Sequence, residues 1–251
     1  MEAFFWKAFF LVCPSFVLQA AVKLRAIEKV KKSREVMRKR KHNAITHAPQ
    51  AEVPAVVDTE APIPLCHNIV STTQIQCKER IDIDLQRLAM LFPCSTYDRK
   101  RFAAITIRLS APQCTCLLFG SGKLVITGST CYHACIMAAH TVSSMLRTAM
   151  PDKDFRVRSC TIQNIVAHVE LQRGHTIDLP ALYARFCECA TYQKAIFPGL
   201  VLRLPGAPIV VLVFSSGRIV CTGGRSYEDI QHGFASIYQV LKQHIVRSSS
   251  T

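Results

Sequence analysis

Two stretches of the chain, 95 residues apart, repeat the same order of aromatic, hydroxyl and basic residues. They read LLFGSGKLVITG at 117–128 and LVFSSGRIVCTG at 212–223, an order typical of a β-hairpin with a Ser-Gly turn. The segments FAAITIR at 102–108 and FPGLVLR at 197–203 repeat at the same offset. The repeated positions contain no Gly-rich phosphate loop, paired carboxylates, metal cluster or Ser/His/Asp arrangement. Their side chains therefore favour binding over catalysis, and we expect no enzyme.

The balance of charge indicates what such a site could bind. Lys and Arg number 31 against 17 Asp and Glu, which gives a formal net charge of +14 and a pI near 9.4. An excess of this size attracts polyanions, such as nucleic acid or an acidic membrane surface. With 251 residues and 49% hydrophobic content, the chain can bury a sizeable core, as one compact domain or two small fused halves.

The cysteines do not indicate a metal site or a disulfide scaffold. Twelve are present, but no C-x-x-C spacing occurs. Cys114 and Cys116 alternate along a predicted strand, so we interpret them as small apolar residues on one face of it. We predict no metal and no other cofactor, and a reducing compartment, nucleus or cytosol.

The first 64 residues differ in composition from the rest. Residues 3–22 are strongly apolar, but an acidic start, a lysine and a proline make a secretory signal or anchor a weaker interpretation than a partner-binding segment or a poorly ordered extension. Residues 23–41 carry a basic run that fits a nuclear-import signal, a phosphate-contacting arm or a solvated helix face. Residues 48–64 have the composition of a linker, so the folded core should begin near Leu65.

The remaining sequence divides into two repeats, 65–155 and 156–247, with the same predicted order of elements. Each begins with a strand and continues with a helix capped by Asp84 or Asp178, four strands separated by turns, and a final helix. The final helices are predicted at 131–150 and 227–245. This β-α-β-β-β-β-α order predicts an α+β fold in which both repeats contribute to one antiparallel sheet with helices on one face only.

The other face of the sheet stays open, although several strands are apolar on both of their sides. A half-covered antiparallel sheet usually alternates apolar and polar residues, so the second apolar side favours either a sandwich or a binding surface. The helices are too few to cover both faces, which favours binding. Four phenylalanines at equivalent positions either lie at the two ends of this face or are core residues at hairpin tips: Phe102, Phe119, Phe197 and Phe214.

The span 65–246 resembles the conserved core of the TATA-box-binding protein family, including its divergent related factors. The resemblance rests on RKRFAAITIRL, LLFGSGKLVITG, CTIQNIVAHV, IFPGLVLRL, VLVFSSGRIVCTG and FASIYQVLKQ, in order and in both repeats. It implies a saddle made of a ten-stranded antiparallel sheet, with four helices on the convex face. It also implies a general transcription initiation factor that binds double-stranded promoter DNA in the minor groove, bends it at A·T-rich, TATA-like sites and nucleates preinitiation complex assembly.

The resemblance further implies a role for each matched position. The DNA-intercalating residues would be Phe102 and Phe119 at one end of the site and Phe197 and Phe214 at the other. The minor-groove base contacts would be Asn68, Asn164, Thr127, Thr222 and an apolar floor of Val70, Val166, Val125, Val220, Leu117 and Leu212, which excludes the guanine amino group. The phosphate contacts would be Lys100, Arg108, Lys123, Ser121, Arg203, Ser216, Arg218 and Arg225.

Two surfaces that face protein partners in this family are altered in the sequence. The segment 131–149 carries only Arg147 as a formal charge, where the family is rich in lysine and arginine, and the loop 192–196 lacks the family's acidic residues. We therefore expect a nuclear protein whose transcription factor IIB-like and other polymerase-associated partners have diverged with it. An assembly platform with weak DNA affinity stays open as an alternative, as does a homodimer of the free protein.

Overall fold

The computed structural model describes residues 61–78, 82–172, 174–203 and 206–247. The apolar segment 3–22, the basic run 23–41 and nearly all of the predicted linker 48–64 lie outside the described residues.

The first repeat contains five strands and two helices in the predicted order. Asp84 caps the first helix, because its carboxylate accepts hydrogen bonds from the backbone N–H groups of Gln86 and Arg87 at 3.0 and 3.1 Å. The elements are β1 Leu65–Gln76, α1 Leu85–Leu91, β2 Ser95–Thr96, β3 Ala104–Ser110, β4 Gln113–Phe119, β5 Lys123–Ser129 and α2 Tyr132–Ala149.

The second repeat follows the same plan with additions. Asp178 caps its first helix through Ala181 N–H at 3.0 Å, with Pro180 in the first turn. Ser226 and Asp229 form a capping box at the start of the last helix. The elements are β6 Arg156–Val157, β7 Thr161–Glu170, β8 His175–Ile177, α3 Leu179–Arg185, β9 Ala190–Gln193, β10 Phe197–Leu202, β11 Val210–Val213, β12 Arg218–Thr222, α4 Tyr227–Gln243 and β13 Ile245–Arg247.

Ten strands form one continuous antiparallel path in the order β2-β3-β4-β5-β1-β7-β12-β11-β10-β9. Strands β1 and β7, the longest strand of each repeat, lie side by side at the centre and join the two repeats. The predicted ten-stranded sheet is thus confirmed. Two pairings were not predicted from the sequence: β6 extends the sheet by pairing with the end of β1, and β8 pairs with β13 in a separate two-stranded sheet.

The main hydrophobic core lies between the sheet and the helices. All four helices contribute to it, as do strand residues of one parity such as Ile105, Leu118 and Ile219. Cys114 and Cys116 belong to this core as predicted. Strand residues of the opposite parity form two separate clusters on the open face, the face without helices. The predicted arrangement of four helices on one side of the sheet is therefore confirmed.

The structure adds two findings about binding classes. Within the described ranges, none of the helices combines the length and apolar character that crossing a membrane requires. The described residues also contain no group of three or more His, Cys, Asp or Glu side chains arranged to hold a metal ion. Eleven cysteines lie in this part of the chain, and five of them are buried: Cys114, Cys116, Cys135, Cys160 and Cys221.

Candidate nucleic-acid interface

The centre of the open face is formed where β1 of the first repeat pairs with β7 of the second. The register of β1 and β7 places Asn68 opposite Val166 and Val70 opposite Asn164. The two asparagines are therefore related by the approximate twofold axis between the repeats. The register shifts on both sides of Asn68, and such bulges re-aim side chains locally.

A backbone N–H group fixes the orientation of each asparagine amide. Gly128 N–H donates to Asn68 Oδ1 at 2.7 Å, and Gly223 N–H donates to Asn164 Oδ1 at 2.8 Å. Because an N–H can donate only to an oxygen here, the amide oxygens face the Thr-Gly segments and the NH₂ groups are left to donate. Both glycines have positive φ angles, 91° and 105°, which glycine adopts readily. This explains why Thr-Gly closes both copies of the hairpin.

The preceding threonines complete this arrangement. The Thr127 hydroxyl donates to Asn68 Oδ1, and the Thr222 hydroxyl lies equally far, 3.3 Å, from Asn164 Oδ1. In the second repeat Asn164 Nδ2 also lies 3.2 Å from the Thr222 hydroxyl oxygen. In the first repeat no described residue accepts a hydrogen bond from Asn68 Nδ2. The structure thus brings all four predicted polar residues together as two amide–hydroxyl pairs that offer donors near the centre of the face.

The apolar residues of the open face form two patches, one in each repeat. All six predicted floor residues belong to them, and each exposes 5% of its surface or less. Patch one consists of Val70, Phe102, Ala104, Leu117 and Val125, with Phe119 packed against it. Patch two consists of Val166, Phe197, Val201, Leu212 and Val220, with Val210 and Phe214 packed against it. Ala104 and Val201 are members that we did not predict, although their strand parity would have identified them.

The four phenylalanines form one edge-to-face ring pair on each patch. The ring centroids of Phe102 and Phe119 lie 5.9 Å apart, and those of Phe197 and Phe214 lie 5.6 Å apart. Phe102 and Phe197 are buried, with 8% and 3% of their surfaces exposed, whereas Phe119 and Phe214 are half-buried. None of the four belongs to the core under the helices. Each patch therefore presents one accessible ring supported by one buried ring.

All eight predicted phosphate-contacting residues are exposed. Arg108 and Arg203 follow the patch residues of β3 and β10 with the same strand parity, so they extend the open face at its two ends. Arg225 is placed differently, because its backbone N–H is bound by Asp229 at the start of α4. The other five predicted phosphate contacts are Lys100, Ser121, Lys123, Ser216 and Arg218.

One of these cations already has an ionic partner. Arg218 Nε donates to Glu170 Oε1 at 2.9 Å, and its Nη2 donates to the same oxygen. These two residues are directly opposite each other on β12 and β7. Hydrogen bonding to the guanidinium and its positive charge hold the pKa of Glu170 below the usual range. Both side chains expose more than half of their surface, so the pair contributes little to stability.

The equivalent position in the first repeat has no such pair. Lys123 lies opposite Gln74, whose Nε2 donates to the backbone oxygen of Ser121 at 2.7 Å. Lys123 forms no ion pair with any described residue. We did not predict Glu170 as part of the face. It lies 96 residues after Gln74, the same offset that separates the two asparagines, so a comparison of the repeats shows a carboxylate in one where the other has an amide.

Two shallow grooves flank the central asparagines on the open face. The groove of about 730 Å³ on the first-repeat side is lined by polar and basic residues that include Thr72, Gln74, Lys123 and Arg158. The groove of about 790 Å³ on the second-repeat side is lined by residues that include His67, His168, Glu170, Phe214 and Arg218. We did not predict either histidine as part of the face. Both lie within five residues of an interface asparagine, which is the signal that could have identified them.

Comparisons with known proteins identify the same architecture. The family model of transcription factor TFIID, or TATA-binding protein, matches the chain twice, at residues 64–149 and 159–244. The TATA-box-binding protein 2 of Arabidopsis thaliana is 35% identical over 184 residues, which cover 72% of this chain and 86% of that protein. The TATA-box-binding protein of Caenorhabditis elegans is 31% identical over 208 residues, which cover 80% of this chain but only 59% of that longer protein.

A solved structure agrees with these relatives. The TBP of Methanococcus jannaschii superposes with a TM-score of 0.62 at 31% sequence identity, and the match covers 72% of this chain and 99% of that one. The family is one of non-enzymatic transcription factors, which agrees with our expectation that the chain is not an enzyme. Because the family model covers both repeats, and two relatives of this identity align over most of the chain, the protein belongs to the TATA-box-binding protein family.

Proposed function

We propose that the protein is a nuclear transcription initiation factor that binds A·T-rich promoter DNA in the minor groove through its open face and bends it. The observation that carries this proposal is the central pair of asparagine amides. Their oxygens are bound by Gly128 and Gly223, which leaves the NH₂ groups as donors. In the minor groove both A·T and T·A pairs present only acceptors, so a face that offers donors and rejects additional donors fits such DNA.

The apolar patches supply the second part of the recognition. A guanine amino group pressed against valine and leucine side chains would lose its hydrogen bond to water, which disfavours G·C pairs at those steps. In the free protein each patch is packed under its own phenylalanine pair. When the half-buried ring of Phe119 or Phe214 inserts between base pairs, its contacts with the patch are exchanged for contacts with bases, and the patch meets the groove. The buried partner ring, Phe102 or Phe197, supports the inserting ring and moves toward the base pairs after it.

The exposed cations fix the register of the duplex on this face. Arg108 and Arg203 stand at equivalent places in the two repeats, so they suit phosphates on opposite sides of a bent site. Each neutralised phosphate releases bound counterions, so the affinity should fall steeply as salt is raised.

The surfaces on the helix side suit partners that differ from the usual ones. Arg147 is the only formally charged residue of α2, and both its Nε and its Nη2 donate to the backbone oxygen of Phe155. Its charge is therefore engaged within the protein. The loop after β9 presents Ile196 with 43% of its surface exposed, at a place where the family carries acidic residues. A transcription factor IIB-like partner would meet an apolar and basic loop here, so its own contact surface should be correspondingly altered.

Fluorescence energy transfer across a short duplex labelled at both ends tests this proposal. The full-length chain is titrated onto an A·T-rich and a G·C-rich site at low salt. We expect the wild type to bend the A·T-rich duplex and to bind the other more weakly. The double variant Phe197→Ala with Phe214→Ala should bind without comparable bending, and Phe102→Ala with Phe119→Ala should show the same loss at the other end.

The controls separate the DNA role from the folding of the variants. Met137→Ala changes an exposed side chain of α2, which exposes 47% of its surface, and should leave bending unchanged. Thermal unfolding shows whether each double variant is folded, and sedimentation without DNA shows whether the free protein forms a homodimer that competes with binding. If the folded wild type bends neither duplex at low salt, the DNA-binding proposal is wrong and the assembly-platform interpretation replaces it.

A further inference from the structure

Two side-chain pairs cross the seam between β1 and β7, one on each side of the central asparagines, and they occupy equivalent places in the two repeats. On the first-repeat side Gln163 Nε2 donates to the Thr72 hydroxyl at 2.9 Å. On the second-repeat side His67 and His168 make an edge-to-face contact, with ring centroids 5.7 Å apart. The equivalence follows from the asparagine offset of 96 residues, which relates His67 to Gln163 and Thr72 to His168. The second-repeat side therefore has two imidazoles at the places where the first-repeat side has an amide and a hydroxyl.

The histidine pair lies on the surface that the proposed function assigns to DNA. His168 is directly opposite Val220 of patch two, and both histidines line the second-repeat groove together with Phe214. His67 is exposed and His168 is half-buried, so both can reach a ligand in the groove. No hydrogen bond joins either ring to another described residue.

We propose that this pair makes DNA binding proton-linked, so that one imidazole takes up a proton as the duplex enters the second-repeat half of the face. This inference rests on the proposed minor-groove binding. A neutral imidazole has one N–H donor and one acceptor nitrogen, whereas an imidazolium has two donors. Since the minor groove of A·T pairs presents only acceptors, the charged form matches it and the neutral form leaves one nitrogen facing another acceptor.

The surroundings of the pair favour this change of protonation on binding. In the free protein the two rings touch, so a second positive charge next to the first is disfavoured. The high density of phosphate charge along DNA favours the imidazolium once the duplex is bound. The amide and hydroxyl on the first-repeat side cannot respond, because neither titrates near neutral pH. Proton uptake should therefore be confined to the second-repeat half.

The other charged and titratable residues that line this groove are Glu170, Arg218 and His175. The pKa of Glu170 is lowered by Arg218, so this carboxylate stays ionised from pH 6 to pH 8. Arg218 is the cation of that ion pair. His175 is the remaining imidazole that lines the groove, and its Nδ1 lies 3.2 Å from the backbone oxygen of Gln172. It requires a control variant of its own.

The test compares DNA affinity at pH 6, 7 and 8, at constant salt, for the full-length wild type and for His67→Gln with His168→Thr. This double variant gives the second-repeat side the residues that already form a hydrogen bond on the first-repeat side, so it should fold. A pKa that rises by about one unit on binding changes the affinity by about tenfold across its titration. We expect the wild type to bind about tenfold more tightly at pH 6 than at pH 8, and the double variant to change much less.

Calorimetry in two buffers of different ionisation enthalpy measures the protons taken up per complex at pH 7. The wild type should take up a fraction of a proton that the double variant does not, and His175→Gln should behave like the wild type. If wild type and double variant bind DNA with the same pH dependence, the histidine inference is wrong while the proposed function stands. If His175→Gln alone removes the dependence, the pair is the wrong assignment. If the wild type binds no DNA at any pH, the proposed function itself fails.

Discussion

The two halves of the open face share an apolar floor but differ in the polar residues around it. Each half has a patch of valine and leucine under a pair of phenylalanine rings. On the first-repeat side the cross-strand pair is Lys123 with Gln74, which carries one positive charge, and on the second-repeat side it is Arg218 with Glu170, which is neutral as a pair. The apolar patches, where a duplex would be distorted, are therefore alike in the two repeats, whereas the net charge of the neighbouring cross-strand pair differs.

This difference separates two roles of the residues on the open face, holding a geometry common to both repeats and tuning the strength of binding at one end. Residues that must hold a common geometry, such as the Thr-Gly segments and the ring pairs, are alike in both halves. Residues that tune the strength of binding at one end differ, and the histidine pair lies at the same end as the Glu170–Arg218 ion pair. We infer that the second-repeat half responds more strongly to pH than the first, whereas its neutral ion pair makes it respond less strongly to salt. Four sets of substitutions test this comparison.

The largest expected effect concerns the two rings within one pair. Phe197→Ala removes a ring that is 3% exposed and packed among patch-two residues, so the free energy of unfolding should fall by about 3 kcal/mol. Phe214→Ala removes a half-buried ring, and should lower stability less but DNA bending more. Chemical denaturation and energy transfer on the same preparations measure the two effects. If both variants lose stability and bending in equal proportion, the division into a supporting ring and an inserting ring is wrong.

The second effect concerns the central amides. Asn164→Asp keeps an oxygen for Gly223 N–H but replaces the NH₂ group by an oxygen that carries negative charge, which groove acceptors repel. We expect DNA affinity to fall by about 30-fold, equivalent to about 2 kcal/mol of lost discrimination. Asn68→Asp should have a similar effect on DNA and a larger one on stability, because Asn68 is only 5% exposed.

Equilibrium binding and thermal unfolding distinguish these two losses. Asn164→Ala serves as the matched control, since it removes the donor without adding charge and should weaken binding less than Asn164→Asp. An aspartate variant that stays folded and binds A·T-rich DNA as tightly as the wild type would contradict the assignment of the amides to the groove.

The third effect concerns the charge difference itself. Glu170→Gln releases Arg218 and reproduces the arrangement of Gln74 with Lys123, so DNA affinity at low salt should rise by about threefold, since exposed ion pairs are weak. Gln74→Glu makes the reciprocal change and should lower the affinity by a similar factor. Titrations at several salt concentrations measure both, and the differences should shrink as salt screens the charges. A gain that is independent of salt would show that Glu170 acts through something other than charge.

Repetition in the sequence made the general fold predictable, and the resemblance to the family located most of the proposed interface. Two copies of one pattern predicted the order of the elements, the resemblance to the family supplied the floor residues, and an aspartate before each short helix identified its cap. The Thr-Gly pairs were visible as a motif, but the sequence could not reveal that each glycine N–H binds an asparagine from a strand about 60 residues earlier. Such contacts depend on which strands become neighbours.

Three features could not be derived from the sequence, because they depend on relative burial, on a very short strand or on a contact between distant residues. The sequence treats the four phenylalanines alike, whereas the structure buries Phe102 and Phe197 more than their partners. The pairing of β6 with β1 involves only two residues of β6, too few to show a periodic pattern. The contact between His67 and His168 joins residues 101 positions apart, and histidines at that separation carry no pattern of their own.

The last expected effect concerns a single methyl group beside the rings. A Cβ added at Gly199 would lie 2.8 Å from Phe197 Cε1 and 3.0 Å from Phe214 Cε1, so the rings would have to move apart. The equivalent residue in the first repeat is Ala104, and there the rings are indeed 0.3 Å further apart, at 5.9 Å against 5.6 Å. Gly199→Ala should therefore shift patch two toward the geometry of patch one at a cost of about 1 kcal/mol, with a Tm about 2–4 °C lower. A Tm that rises instead would mean that the ring pair of patch two has room for the methyl group, and that the tighter spacing of its rings is set by the strands and not by the glycine.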